Sequence, residues 1–140
     1  MRPYPIHLET DQNGTIIASF PDVPEAVTVG NTEAEAVERA HDALLVALSG
    51  YMDDHRDIPR PSSKAGPKVA LPPMATLKLA LYQAMRDQRM AQATFAETLG
   101  CDARQVRRLL DLDHNSRLDH LERALKALGK RLVITIRSAA

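Results

Sequence analysis

The 140-residue sequence predicts an α+β protein in two parts. A small sheet covered by one helix comes first, and an all-α half with a terminal strand follows. Three observations carry this. Residues 92–110, QATFAETLGCDARQVRRLL, put alanine at the fifth place, glycine at the ninth, valine at the fifteenth and leucine at the eighteenth. That is the spacing of a helix-turn-helix. Residues 4–29 hold three short β-type runs and lead into a capped amphipathic stretch. Between the halves lies PRPSSKAGPKVALPP, residues 59–73, whose Pro, Ser and Gly content reads as a linker. The expected domains are therefore 1–72 and 74–140.

The elements follow in order. Residues 4–10 alternate enough for a strand. Asp11-Gln12-Asn13-Gly14 reads as a hairpin turn, since Asn-Gly tolerates positive φ. Residues 15–20 return as a second strand. Pro21-Asp22-Val23-Pro24 interrupts it, because proline cannot donate to a ladder. Residues 26–29 form a short third strand, closed by Gly30-Asn31. Thr32 with Glu35 makes a capping box, and Val37, Ala40, Leu44, Leu48 and Tyr51 recur on one helical face up to about Met52. Val69 to Leu71 adds a further short strand.

The second half reads as helical to residue 128. Residues 74–89 carry Leu77, Leu81, Tyr82 and Met85 at helical spacing. Then come the two motif helices, 92–99 and 103–110. The last helix spans 117–128, with Leu118, Leu121, Leu125 and Leu128 on one face and Gly129 as its stop. RLVITIR, residues 131–137, is β-branched and apolar, which predicts a strand. Leu132, Val133, Ile134, Thr135 and Ile136 would pair with the same segment of a second chain, or pack on strands of the first half.

Within the motif, Ala96 allows two helices to cross closely and Gly100 suits the turn. Phe95, Leu99, Val106 and Leu109 face inward. Asp102, Ala103, Arg104, Gln105, Arg107 and Arg108 are left outward, where a recognition helix meets the major groove. Asp102 caps that helix. Arg104 and Gln105 suit base edges, since Arg pairs guanine and Gln pairs adenine. Arg107 and Arg108 suit phosphates. Gln92 can reach a phosphate at its helix start, and Asn115, Ser116 and Arg117 can do so at the next one. Ala91 stands where Ser or Thr would cap the first motif helix. The competing interpretation is a helical hairpin whose small and apolar residues serve packing alone.

Net charge is zero only by cancellation. Residues 1–72 carry six Lys/Arg against eleven Asp/Glu, a net of −5. Residues 73–140 carry twelve against seven, a net of +5. The basic half suits a polyanion and the acidic half a basic partner. No apolar run is long enough for a membrane span. The beginning, MRPYPIHLETD, has no signal-peptide h-region, and the single Cys101 excludes an intrachain disulfide, so the cytoplasm is the expected location. The histidines His7, His41, His55, His114 and His120 show no metal-ligand spacing, and no metal or cofactor is expected.

The stretch FPDVPEAVTVGNTEAEAVERA resembles the HicB antitoxin family: a strand, a proline-bracketed acidic turn, a short strand and a capped helix. Residues 58–62 match as well. LGCDARQVRRLLDLDHNSRLDHLERALKALGKRLVI is similar to the helix-turn-helix tail of many of its members. Pro24-Glu25-Ala26 departs from the family's usual Pro-Gly-Cys. The resemblance implies a partial RNase H-like fold for 1–72 without nuclease chemistry. It also implies a HicA-like partner, an mRNA-cleaving toxin that the acidic half occludes, with Asp22, Val23, Pro24 and Glu25 as candidate contacts. The other half, as a dimer or tetramer, would bind operator double-stranded DNA and repress its own operon. A ligand-responsive regulator without a toxin is the alternative.

Overall fold

The structure is a computed structural model that describes residues 2–139. It is α+β, and it divides between Thr76 and Leu77 into two compact units.

In the first unit, β2 (His7–Thr10), β3 (Ile16–Phe20) and β4 (Val23–Gly30) form an antiparallel sheet in that order. Residues 11–15 make the β2–β3 turn, closed by the Asp11 amide donating to the Thr15 carbonyl at 2.8 Å. The Asp11 carboxylate accepts from the amides of Asn13 and Thr15 at 2.8 and 2.9 Å, and Gly14 takes φ +81°. The Gly14 amide donates to the Asp11 carbonyl at 3.2 Å, which closes a β-turn ending on a left-handed glycine. Helix α1 (Glu33–Asp53) covers one face of the sheet. Its cap is the expected one: the Thr32 hydroxyl accepts from the Glu35 amide at 3.1 Å. Ala36, Ala40, Leu44, Leu48 and Tyr51 of α1 are buried, as are Ala18, Phe20 and Ala26 of the sheet. Each large apolar side chain so buried contributes about 1.5–3 kcal/mol.

Two details of the sheet differ from the sequence reading. The interruption after Phe20 is only Pro21-Asp22, and β4 already starts at Val23. Pairing jumps from Phe20–Val23 to Ser19–Val27, so Pro24 falls in a bulge that needs no ladder donor. On α1, Ala36 rather than Val37 points into the core. The helix start also lies close to the strand end: a Cβ on Gly30 would lie 2.4 Å from the Ala36 amide nitrogen.

The Pro-rich stretch does not run as a free tether. β5 (Lys68–Val69) pairs antiparallel with β1 (Tyr4–Pro5). The Tyr4 hydroxyl donates to the Pro59 carbonyl at 2.6 Å, and the Ser62 amide donates to the Asp22 carboxylate at 2.8 Å. Ile58 and Pro61 are buried. Proline rings bury apolar area at little entropic cost.

The second unit is built from α2 (Pro73–Asp87) from Leu77 onward, α3 (Gln92–Leu99), α4 (Ala103–Leu110) and α5 (Leu118–Ala127). Its core is Leu79, Leu81, Tyr82, Met85, Phe95, Val106, Leu109, Leu121, Leu125 and Leu128. Gly129, at φ +75°, ends α5; the amides of Gly129 and Lys130 donate to Lys126 and Leu125.

The expected terminal strand does not form within this chain. Residues 130–139 form no regular structure in this chain. Leu132 is half-buried and Thr135 exposed, while Val133, Ile134 and Ile136 are 68%, 64% and 92% exposed. A β-run without a neighbouring strand has no ladder to join, whatever its composition.

Candidate nucleic-acid interface

Helices α3 and α4 have eight residues each, and 100–102 joins them. Gly100 sits at φ +68°, ψ +36°, where a side chain is strained. Asp102 then begins α4, its carboxylate accepting from the Gln105 amide at 2.9 Å. No side chain caps α3 at Ala91. Phe95, Ala96, Leu99, Val106 and Leu109 are buried, locking the pair together.

That packing decides what faces out. Asp102, Ala103, Arg104, Gln105, Arg107 and Arg108 are all exposed, and so is Gln92 at the start of α3. Three guanidinium groups therefore stand on one helix of about 12 Å. A cleft of about 340 Å³ opens beside them. Gln105 and Arg108 line one wall; His114, Arg117 and His120 line the other; half-buried Cys101 borders it.

The 115–117 group splits. Asn115 is exposed. Arg117 is exposed too, but pairs with Asp119 at 2.9 and 3.1 Å, which holds that carboxyl below its ordinary range. The Ser116 side chain is turned inward, its hydroxyl donating to the Arg108 carbonyl at 3.3 Å, so it does not extend to a phosphate as expected.

Ser116 has a further partner that sequence reasoning missed. Lys78 of α2 is fully buried, and its Nζ donates to the carbonyls of Arg108 and Asp111 and to Ser116 Oγ at 2.7, 2.8 and 2.8 Å. Burial pushes its pKa down, against the opposing pull of Asp111. The one available signal was a lysine between Leu77 and Leu79 in a helix whose neighbours are apolar. Two other helix ends are held likewise. Arg123 donates to the Leu99 carbonyl at 2.8 Å, and Gln88 to that of Leu128 at 2.7 Å.

In the first unit, the four residues at the acidic turn do not form one surface. Val23 is fully buried and Asp22 is half-buried against Ser62, while Pro24 and Glu25 are exposed. Glu25 accepts from the Tyr51 hydroxyl at 2.7 Å and pairs with Arg56 at 3.3 Å; Arg56 also lies 4.1 Å over the Tyr51 ring. The Tyr51 bond, ahead of Arg56, holds the Glu25 carboxyl below its ordinary range. Burial, with the Asp22 charge second, pushes Tyr4 up to about 12. Among the described residues, no group of three His, Cys, Asp or Glu side chains could hold a metal ion, and no helix is long and apolar enough to cross a membrane.

Comparison with known proteins bears on the same two units. The pattern of the family described as HicB-like antitoxin of bacterial toxin-antitoxin system matches residues 3–80. The chain belongs to the HicB-like antitoxin family. Antitoxin HicB 2 of Photorhabdus laumondii is 39% identical over 129 residues, 92% of each chain. Antitoxin HicB of Escherichia coli K12 is 36% identical over 135 residues, 95% of this chain and 98% of its own. Antitoxin HicB of Pseudomonas fluorescens is 34% identical over 134 residues, 92% of this chain and 90% of its own. The family pattern thus covers the first unit and the start of α2, whereas these relatives align across α3 and α4 as well.

Proposed function

We propose that this chain is the antitoxin of a toxin–antitoxin pair, acting by binding rather than catalysis, in the cytoplasm. Its first unit binds and neutralises a HicA-type mRNA-cleaving toxin. Its second unit binds operator DNA and represses the operon that encodes both proteins. The toxin half of this reading is supported by family membership and by the −5 charge of residues 1–72, which suits a basic partner. Pro24 and Glu25 remain the accessible candidates at the acidic turn.

The DNA half rests on one observation: the outward face of α4. An αL glycine, an aspartate cap and an exposed Arg104-Gln105 pair flanked by Arg107 and Arg108 are what a helix-turn-helix presents to a major groove. Arg104 and Gln105 read bases; Arg107, Arg108, Gln92 and Asn115 meet phosphates. Two copies would read half-sites about one helical turn apart. Pairing of residues 132–136 between copies would give the exposed Val133, Ile134 and Ile136 a ladder, as dimer or tetramer.

The test is twofold. The chain should shift a duplex from upstream of its own gene, with affinity falling steeply as salt rises. Co-expression should relieve growth arrest caused by a short basic reading frame beside its gene. Salt-insensitive DNA binding would sink the first part, and persistent arrest the second.

A further inference from the structure

Lys78 has a use that helix packing alone does not require. Its ammonium carries three donors, and all three find acceptors: the Arg108 carbonyl in the last turn of α4, the Asp111 carbonyl at the C-cap, and Ser116 Oγ. Burying a charge is expensive unless every donor is satisfied. An apolar side chain would fill the same space without that cost. What it could not do is draw three points of the backbone and loop to one spot. α4 has eight residues, too few to hold its own end firmly in water, and its last carbonyls lack the usual amide four residues on, the Arg108 carbonyl keeping only a 3.3 Å bond from the Asp111 amide at the C-cap. A cation at that end satisfies them and complements the helix dipole.

We propose that Lys78 is a positioning residue for DNA binding: by anchoring the end of α4 and the 111–116 loop to α2, it fixes the register in which Arg104, Gln105 and Arg107 are presented. The inference rests on the DNA-binding reading above. Lys78 itself is fully buried and touches no nucleic acid.

The experiment measures affinity of the full chain for its upstream duplex at several salt concentrations. Lys78→Met weakens binding about tenfold or more, the size expected when buried acceptors lose their donor. The dependence of affinity on salt keeps its slope. Arg107→Gln, which removes a phosphate contact, lowers that slope by about one. Ser116→Ala alone weakens binding about threefold. It adds nothing further in the Lys78→Met background, because both act through one network. Circular dichroism and amide exchange in α2 and α3 verify that the variants are folded. Wild-type affinity in folded Lys78→Met overturns the inference, and so does additivity with Ser116→Ala. A reduced slope also overturns it, since Lys78 would then be a phosphate ligand. If Lys78→Met does not fold, Ser116→Ala decides: unchanged affinity overturns the proposal. A wild-type chain that binds none of its upstream DNA removes the DNA-binding reading itself, a different failure.

Discussion

The two units solve the problem of small size in opposite ways. The first has a 21-residue helix laid on a sheet, and its polar side chains tie the loops around that sheet: Glu25 meets Tyr51 and Arg56, Asp22 accepts from the Ser62 amide, and Tyr4 donates to the Pro59 carbonyl. The second has helices as short as eight residues, and side chains from neighbouring helices hold their ends: Lys78 on α4, Arg123 on α3, Gln88 at the end of α5. A long helix on a sheet can leave its ends to a local capping box. Short helices depend on one another, and the arginines that no helix end requires stay outside. The difference teaches how charge is divided in the second unit: Lys78 and Arg123 hold helix ends, while Arg104, Arg107 and Arg108 form an exposed row on α4.

The comparison can be broken most forcefully at its tightest point. Gly30→Val forces a side chain into the Ala36 backbone 2.4 Å away, with no flexible neighbour to yield. It should destabilise the first unit by about 3 kcal/mol or more. Amide exchange in α3 to α5 should stay unchanged; equal loss in both units would show that they are not separate in stability. Arg104→Ala with Gln105→Ala sharpens the other side. If the two side chains read bases as proposed, losing both should cost about 100-fold or more in operator affinity. Toxin binding, read by co-purification, should be unaffected. Asp102→Ala removes the carboxylate that accepts from the Gln105 amide and should cost about 1 kcal/mol, seen as a lower denaturation midpoint.

The smallest effect concerns pH. The Glu25 carboxyl is held below its ordinary value of 4.5, chiefly by the Tyr51 hydroxyl. A lowered folded pKa means the charged form is the stabilised one. Its contribution is therefore present above about pH 4.5 and is lost as pH falls below it. Because the group is exposed, the drop in melting temperature of the first unit should be slight. Tyr51→Phe should flatten it; an unchanged acid limb would mean that the bond does not form in solution.

Much of this was legible in the sequence because periodicity and turn chemistry are local. Thr32, Asp102, Gly100 and Gly129 behave as their spacing predicts. The outward row on α4 followed from placing Val106 and Leu109 inward. The failures are all non-local. Ala36 rather than Val37 faces the core, where the helix start packs close to the strand end at Gly30. Lys78 carries no mark in the sequence beyond its apolar neighbours, because its three acceptors come from distant positions. Pro59 and Pro61 read as punctuation, yet they pack because Tyr4 and Asp22 wait for that segment. β-propensity in residues 132–136 could not supply a neighbouring strand.

One consequence of that last segment concerns how far association can go. The apolar run from 132 to 136 is bracketed by Arg131 and Arg137. Stacking such segments sets guanidinium over guanidinium at both ends. One pair bears that repulsion easily, since the ends splay into water. Each additional layer lengthens two columns of like charge, so the repulsion mounts while the gain per layer stays constant. In the proposed pairing of copies, the flanking arginines would act as gatekeepers, tolerating a closed pair and opposing an open-ended fibre.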